Sequence, residues 1–257
     1  MKDLIKIELY KISKGRDKYI LIISFALMIF LAWTSILTGI DSNSMNRSFY
    51  FNLSKFFQVN FELFLPLSIG IFTISLVCNE FSNKTIKNYL MSGYTKEKIL
   101  FSKLISIYIV VAFTFLITIS IFIYLSYFLS DKSAIYRNFR VASNMEISLN
   151  IIGVIGMILL YIFAVISFSL MLGYLTKKKG VSILIYIILI TIILLLYSGL
   201  RKLLTVSSYT FFQTSNAPTY IGVYGFYFNK IRDTIPSISN SALFLAIALL
   251  AFHKHEY

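Results

Sequence analysis

Side chains that could carry out chemistry are scarce in this sequence. The only histidines are His253 and His255, near its last residue, and the only cysteine is Cys78. A Ser–His nucleophile pair needs a base inside the fold, and a zinc site needs several ligands, so the sequence supplies the residues for neither. A G-x-x-x-x-G-K-[ST] phosphate loop is also absent. The sequence therefore predicts no catalytic site, no cofactor bound by this chain and no metal site.

One acidic residue, Glu62, falls inside a long apolar segment. A carboxylate within a bilayer often marks a proton or cation pathway, so Glu62 and the nearby Pro66 are candidate pathway residues. Pro66 is compatible with a kink or with a helix start. Alternatively, Glu62 lies at the outer end of its span and reaches water, an interpretation that Gln58 and Asn60 beside it favour.

The hydropathy of the chain indicates which elements would carry these residues. Of 257 residues, 58% are hydrophobic and only 14% charged, whereas soluble domains carry about 25% charged residues. Apolar runs long enough to span a bilayer recur along the chain. We therefore predict an all-α membrane protein, a single transmembrane domain over residues 1–257 with an interfacial helix over 1–18. The six predicted spans cover about residues 19–40, 58–78, 104–129, 149–175, 181–199 and 237–252.

Gly153 and Gly156 are both in the fourth predicted span. Small residues allow membrane helices to approach closely, so these two glycines are candidates for a helix-packing face, such as one at a dimer seam. Ordinary use of glycine in a membrane helix is an equally good interpretation.

The basic residues predict the orientation. The net charge is +13, and in a membrane protein such an excess indicates cytoplasmic loops better than it indicates nucleic-acid binding. The N-terminal segment, the loops after spans two and four, and the tail hold fifteen Lys and Arg residues, and the alternate loops hold nine. Both termini are therefore predicted to be cytoplasmic. The aromatic-rich stretch 200–236 is predicted to be external, as an interfacial belt, a re-entrant hairpin or an exit surface for peptides.

The polar segment 79–103 is predicted to contain two helices separated by a turn. Asn79 is a predicted N-cap, and Glu80 suits the positive end of a helix dipole. Gly93 predicts the end of this first helix, and Thr95 predicts the cap of the helix that enters span three. The segment is therefore expected to hold a short helix, a glycine turn and a basic helix start.

The first of these helices is predicted to be amphipathic. Phe81, Thr85 and Tyr89 share one side at helical spacing, and a polar group occupies another. Two interpretations follow from these residues alone: an interfacial helix whose lysines contact anionic lipid, or a docking element for a cytosolic partner. The polar group consists of Lys84, Lys87 and Asn88.

The same segment resembles the cytoplasmic loop between spans two and three of type-2 ABC transporter permeases. The resemblance is closest to the small stand-alone permeases of bacterial peptide-export and lantibiotic- or bacitracin-immunity systems. The basic opening MKDLIKIELYKISKGRDKYILI is also similar to the start of these permeases. The matching residues are Glu80-Phe81, Thr85-Ile86-Lys87-Asn88, Leu90, Ser92-Gly93, Lys98 and Ser102-Lys103-Leu104.

The resemblance implies that residues 79–103 hold a coupling helix that docks on a separate dimer of ATP-binding subunits, where ATP and Mg would bind. It also implies pairing with a second permease subunit, identical or different, in the bacterial cytoplasmic membrane. The residues expected to contact the ATPase subunit are Glu80, Phe81, Lys84, Thr85, Lys87, Asn88, Tyr89 and Gly93.

The expected function is that of a permease subunit in an ATP-driven exporter of amphipathic or antimicrobial peptides. A secondary transporter or channel is an alternative, although ion-coupled carriers usually need more intramembrane charge than Glu62 provides. A membrane-embedded sensor or assembly subunit without transport is a third possibility.

Overall fold

The computed structural model describes residues 1–39, 56, 64–129, 136–137, 140–141, 144–200 and 230–254. Within these residues the backbone forms eight helices and one short antiparallel ribbon. The helices are α1 (Lys2–Lys14), α2 (Lys18–Gly39), α3 (Leu65–Ser82), α4 (Thr85–Met91), α5 (Lys96–Leu129), α6 (Asn144–Thr176), α7 (Lys179–Leu200) and α8 (Lys230–Lys254). The ribbon pairs β1 (Tyr136–Arg137) with β2 (Arg140–Val141).

Three of the described helices are long and apolar enough to cross a bilayer, namely α3, α5 and the Ile155–Thr176 part of α6. A fourth span results if α1 and α2, which meet at a bend of 67°, are counted together. The described apolar parts of α7 and α8 are shorter. The predicted helical membrane fold is therefore confirmed, whereas the number of six spans stays a prediction.

Several helices extend beyond the apolar runs that predicted them. Helix α5 already begins at Lys96, and α8 already begins at Lys230. Hydropathy marks only the part of a helix suited to lipid, while backbone hydrogen bonds continue the helix into polar sequence. The ribbon of β1 and β2 lies between α5 and α6.

The second predicted span is helical from Leu65, with Pro66 in its first turn. Proline is favoured there because its missing N–H has no helical partner at that position. The residues just before Phe64 lie outside the described residues, so a kink and a helix start both stay predictions for Pro66. Glu62 lies outside the described residues, so its predicted pathway role stays a prediction.

Helix α3 packs against α2, α6 and α7. Two glycines allow neighbouring helices to approach α3 closely, one on the side of α6 and one on the side of α7. A Cβ added at Gly173 of α6 would lie 3.0 Å from Val77 Cγ1 of α3. A Cβ added at Gly70 of α3 would overlap the Tyr186 ring of α7. These glycines therefore set the spacing between α3 and its neighbours.

Tyr186 joins three helices at one point. Its hydroxyl donates a hydrogen bond to the Pro66 carbonyl oxygen at 2.6 Å. Its ring covers Gly70 and lies 5.8 Å from the ring of Phe168 in α6. The polar tip of this fully buried tyrosine is thus satisfied, which burial in an apolar core requires.

Neither Gly153 nor Gly156 is used in this way within the described part of the chain. Among the described residues, a Cβ added at either position would meet no atom within 4 Å. The packing face predicted for these two glycines therefore stays a prediction, as does a seam with a second subunit.

Four chain segments meet at one end of the bundle. Helix α1 reaches the start of α5, where Ser106 Oγ lies 3.4 Å from the Ile5 carbonyl oxygen. At the end of α8, His253 Nε2 lies 2.8 Å from Glu97 Oε1. The turn before α7 contacts the turn after α1, since Lys179 Nζ lies 3.7 Å from Asp17 Oδ1. These are the segments that the charge pattern predicts to share one side of the membrane.

The contact between Gly70 and Tyr186 predicts a site-specific effect of added volume. We expect Gly70→Ala to lower the free energy of unfolding by about 1–3 kcal/mol, because overpacking displaces the ring. Gly156→Ala is the matched control and should be neutral or slightly stabilising, since alanine favours helix. Thermal unfolding in detergent measures both. Equal melting temperatures for the two variants would contradict the close approach.

Candidate functional site

The chain breaks its helix between α3 and α4 at Lys84. This residue has φ 55, in the left-handed region, which is uncommon for a residue with a side chain. The predicted N-cap at Asn79 is wrong, because Asn79 lies within α3. Its side-chain amide instead donates to Asp17 Oδ2 at 2.9 Å. A contact with a distant residue has thus replaced the local capping role.

The turn that follows α4 agrees with the local sequence rules. Helix α4 ends at Met91, and Gly93 has φ +81, which glycine adopts without a steric penalty. Tyr94 N–H donates back to the Tyr89 carbonyl oxygen at 3.3 Å. Helix α5 then begins after Thr95, whose Oγ1 accepts from Lys98 N–H at 3.5 Å. The predicted stop at Gly93 and cap at Thr95 are both confirmed.

Helix α4 has one face toward the chain and one toward the outside. Ile86 is buried, and Thr85 is half-buried with its Oγ1 donating to the Glu80 carbonyl oxygen at 3.3 Å. Half-buried Phe81, at the end of α3, packs edge-on against Tyr174 at 5.5 Å between ring centroids. The outward face consists of Lys84, Lys87 and Asn88, all exposed. The predicted amphipathic character of this segment is therefore observed.

A buried lysine lies behind this segment. Lys103, in α5, is only 2% exposed, and its Nζ lies 2.6 Å from Glu80 Oε2 and 3.0 Å from Glu8 Oε2. Lys11 approaches the same two carboxylates, at 3.3 Å from Glu80 Oε1 and 3.5 Å from Glu8 Oε1. Two lysines and two glutamates thus form a charge-balanced group that joins α1, α3 and α5.

Tyr89 connects α4 to this group. Its hydroxyl donates to Glu8 Oε1 at 2.8 Å, and Lys11 Nζ lies 4.4 Å from the centre of its ring. Such a cation–π contact adds to the ion pairs. The five residues Glu8, Lys11, Glu80, Tyr89 and Lys103 are called the charge cluster below.

The cluster controls the protonation of its members. Burial raises the pKa of the Glu8 carboxyl, but the Lys103 and Lys11 ammonium groups and the hydrogen bonds from Lys103 and Tyr89 outweigh burial and hold it below its ordinary value. Burial and the Glu8 carboxylate raise the pKa of the Tyr89 hydroxyl well above its ordinary value. At neutral pH, therefore, Glu8 is ionised and Tyr89 keeps the proton that it donates.

The sequence contains a signal for the burial of Glu8. Leu4, Glu8 and Ile12 are spaced four residues apart, and all three are buried along one face of α1. An acid in the middle of an apolar helical stripe needs a buried cation. Lys103, at the start of a long apolar helix, is the matching signal, but nothing local pairs residues 8 and 103.

The arrangement can hold helices in place but contains no reacting pair. Within the described residues, no group of three or more His, Cys, Asp or Glu side chains could hold a metal ion. The charge cluster joins α4 to three neighbouring helices, and the exposed face of α4 points away from it. The charge cluster therefore positions the exposed face of α4.

Comparison with known protein families identifies a related family. The model of the family described as ABC-2 family transporter protein matches residues 4–194. This range covers most of the chain and includes every residue of the charge cluster. A comparison with curated proteins finds no match.

The charge cluster predicts a large cost for removing its central cation. Lys103→Met should lower the free energy of unfolding by about 3–5 kcal/mol, because it leaves Glu8 and Glu80 facing each other in a buried site. The double variant Lys103→Met with Glu80→Gln should recover part of this loss. Lys98→Met, at an exposed position of the same helix, is the control. Thermal unfolding in detergent reports all three, and equal effects of the two lysine substitutions would contradict a buried cluster.

Proposed function

The chain belongs to the ABC-2 family of transporter proteins and is the membrane component of an ABC transporter, and from this premise we propose that it is the permease subunit of an exporter in which α4 is the coupling helix. The ATP-binding partner that this family implies would then be a dimer of ABC subunits holding ATP and Mg. Each partner subunit would receive the α4 of one permease chain.

The observation that supports this role is the division of α4 into two faces. Lys84, Lys87 and Asn88 face outward, where a partner surface would meet them. Tyr89 is turned inward and hydrogen-bonded to Glu8. We therefore assign the partner contact to the three outward residues and the transmission of movement to Tyr89 and Glu80.

A displacement of α4 would reach the bundle by two routes. One passes through the backbone turns at Lys84 and Gly93 into α3 and α5. The other passes through the hydrogen bond between Tyr89 and Glu8 into α1, which continues through the 67° bend into α2. A packed cluster of fixed charges suits such coupling, because its members move together or separate at a large cost.

Six spans with both termini in the cytoplasm complete the proposal. The gathering of α1, the α4 loop, the turn before α7 and the end of α8 at one end of the bundle supports it, since an even number of crossings brings these segments to one side. The basic character of that end favours the cytoplasmic face of a bacterial membrane. A second permease chain would complete the pathway.

For the substrate we propose amphipathic or antimicrobial peptides. The support is the resemblance of residues 79–103 and of the basic N-terminal segment to peptide-export and peptide-immunity permeases. The aromatic stretch 200–236, most of which lies outside the described residues, is the part of the chain we expect to meet such peptides.

The coupling role predicts the effect of reversing the outward charges of α4. Lys84→Glu with Lys87→Glu should abolish copurification with the ATP-binding partner while leaving the thermal unfolding of the permease unchanged, because both side chains are exposed. The matched control is Lys2→Glu with Lys6→Glu, which changes the net charge equally at exposed positions of α1. Unchanged copurification of the α4 variant would refute the assignment, as would equal losses in both variants.

The substrate proposal predicts ATP-dependent movement of a cationic amphipathic peptide. Vesicles that contain the permease and its ATP-binding partner should move a fluorescent peptide of this kind, and vesicles with either component alone should not. A neutral peptide without an amphipathic pattern, tested in the same vesicles, is the control. Transport driven by an ion gradient without the partner would instead support a secondary transporter.

A further inference from the structure

Two basic segments lie beside each other at the end of the bundle where the charge cluster is found. The first is the elbow between α1 and α2, and the second is the turn between α6 and α7. Each contributes three cations, and together they are called the elbow patch. The patch consists of Lys14, Arg16, Lys18, Lys177, Lys178 and Lys179.

Asp17 holds the two segments of the patch together. Its Oδ1 accepts from Ser75 Oγ at 2.5 Å, its Oδ2 accepts from Asn79 Nδ2 at 2.9 Å, and Lys179 Nζ lies 3.7 Å from Oδ1. Both basic segments are thereby fixed against α3. The proximity of their cations follows from the fold and not from chance encounters of long side chains.

Three cations of the elbow patch have no carboxylate partner among the described residues. The two segments contain six cations and one carboxylate, Asp17. That carboxylate already contacts Ser75, Asn79 and Lys179. In the part of the chain that the structure describes, no carboxylate pairs with Lys14, Arg16 or Lys178, and all three side chains are exposed. Like charges held together repel, so this surface favours a bound anion.

An exposed apolar surface continues directly from the patch along both helices. On α2 it begins with Tyr19, Ile22 and Ile23, and on α7 with Val181 and Leu184, all exposed. Val181 and Lys178 are three residues apart, which is less than one helical turn. Cations next to exposed apolar side chains match the level at which headgroups meet acyl chains in a bilayer.

We propose that the elbow patch binds the headgroup phosphate of an anionic phospholipid, whose acyl chains lie along the exposed apolar residues of α2 and α7. The apolar continuation favours lipid over an acidic protein, because a protein surface bound from the water side would not cover Ile22, Ile23 or Leu184. A bound phosphate would offset the repulsion between the two basic segments and hold the elbow against α7.

The test is competition between lipids on the full-length chain. The purified permease is placed in mixed micelles of phosphatidylglycerol and phosphatidylcholine, and retained lipids are counted by native mass spectrometry. The wild type should retain phosphatidylglycerol preferentially, and Arg16→Gln with Lys178→Gln should weaken that retention about 25-fold, since each cation near an anionic lipid contributes about fivefold in affinity. Added salt should weaken retention by the wild type.

The matched control removes two exposed cations elsewhere at the same end, Lys98→Gln with Lys254→Gln, and should retain phosphatidylglycerol like the wild type. Arg16→Lys with Lys178→Arg keeps the charge and should also retain it, which separates binding from misfolding. Equal loss in the control pair, or no preference for phosphatidylglycerol in the wild type, would overturn the proposal. So would a patch variant that keeps the lipid but loses the ATP-binding partner, since the surface would then face that protein.

Discussion

Lys103 has to be neutralised, because it is buried at the start of a long apolar helix. An ammonium group removed from water costs several kcal/mol unless carboxylates surround it with good geometry. Glu8 and Glu80 meet this need from two other helices. The positions of α1, α3 and α5 at this end of the bundle all depend on that requirement, and the short helix α4 takes its place from the same group through Tyr89. The ion pairs thus specify how these helices are arranged.

The cluster separates the two tasks of the α4 segment. Residues that face the chain are fixed by hydrogen bonds and ion pairs, whereas the outward Lys84 and Lys87 are exposed and form no ion pair with a described residue. A partner bound to the outward face therefore pushes on a rigid support. The same end of the bundle contains the elbow patch, where, among the described residues, Lys14, Arg16 and Lys178 have no carboxylate partner. Charges paired within the chain and charges left for outside partners thus lie side by side.

Local rules predicted the features that depend on neighbouring residues. Gly93 ends α4 and Thr95 begins α5, because left-handed glycine and a side-chain cap are properties of a few consecutive residues. The apolar runs likewise predicted where long helices occur. Features that depend on the fold could not be predicted in this way. Asparagine is a residue type typical of N-caps, but the side-chain amide of Asn79 donates a hydrogen bond to Asp17, 62 residues away. Gly70 resembles any membrane-helix glycine until Tyr186 is found above it, and Glu8 was not expected to meet Lys103, 95 residues away.

Helix α4 is seven residues long, which has a consequence for attempts to imitate it. Isolated helices shorter than about 12–15 residues are marginal in water, so α4 owes its shape to Ile86, Thr85 and Tyr89 resting on the remainder of the chain. A free peptide with the same sequence would lose conformational entropy each time it bound as a helix, so it would compete poorly with the intact protein. A molecule meant to block this docking surface would have to be pre-organised, for example by a covalent bridge on the inward face that takes over the part played by Tyr89.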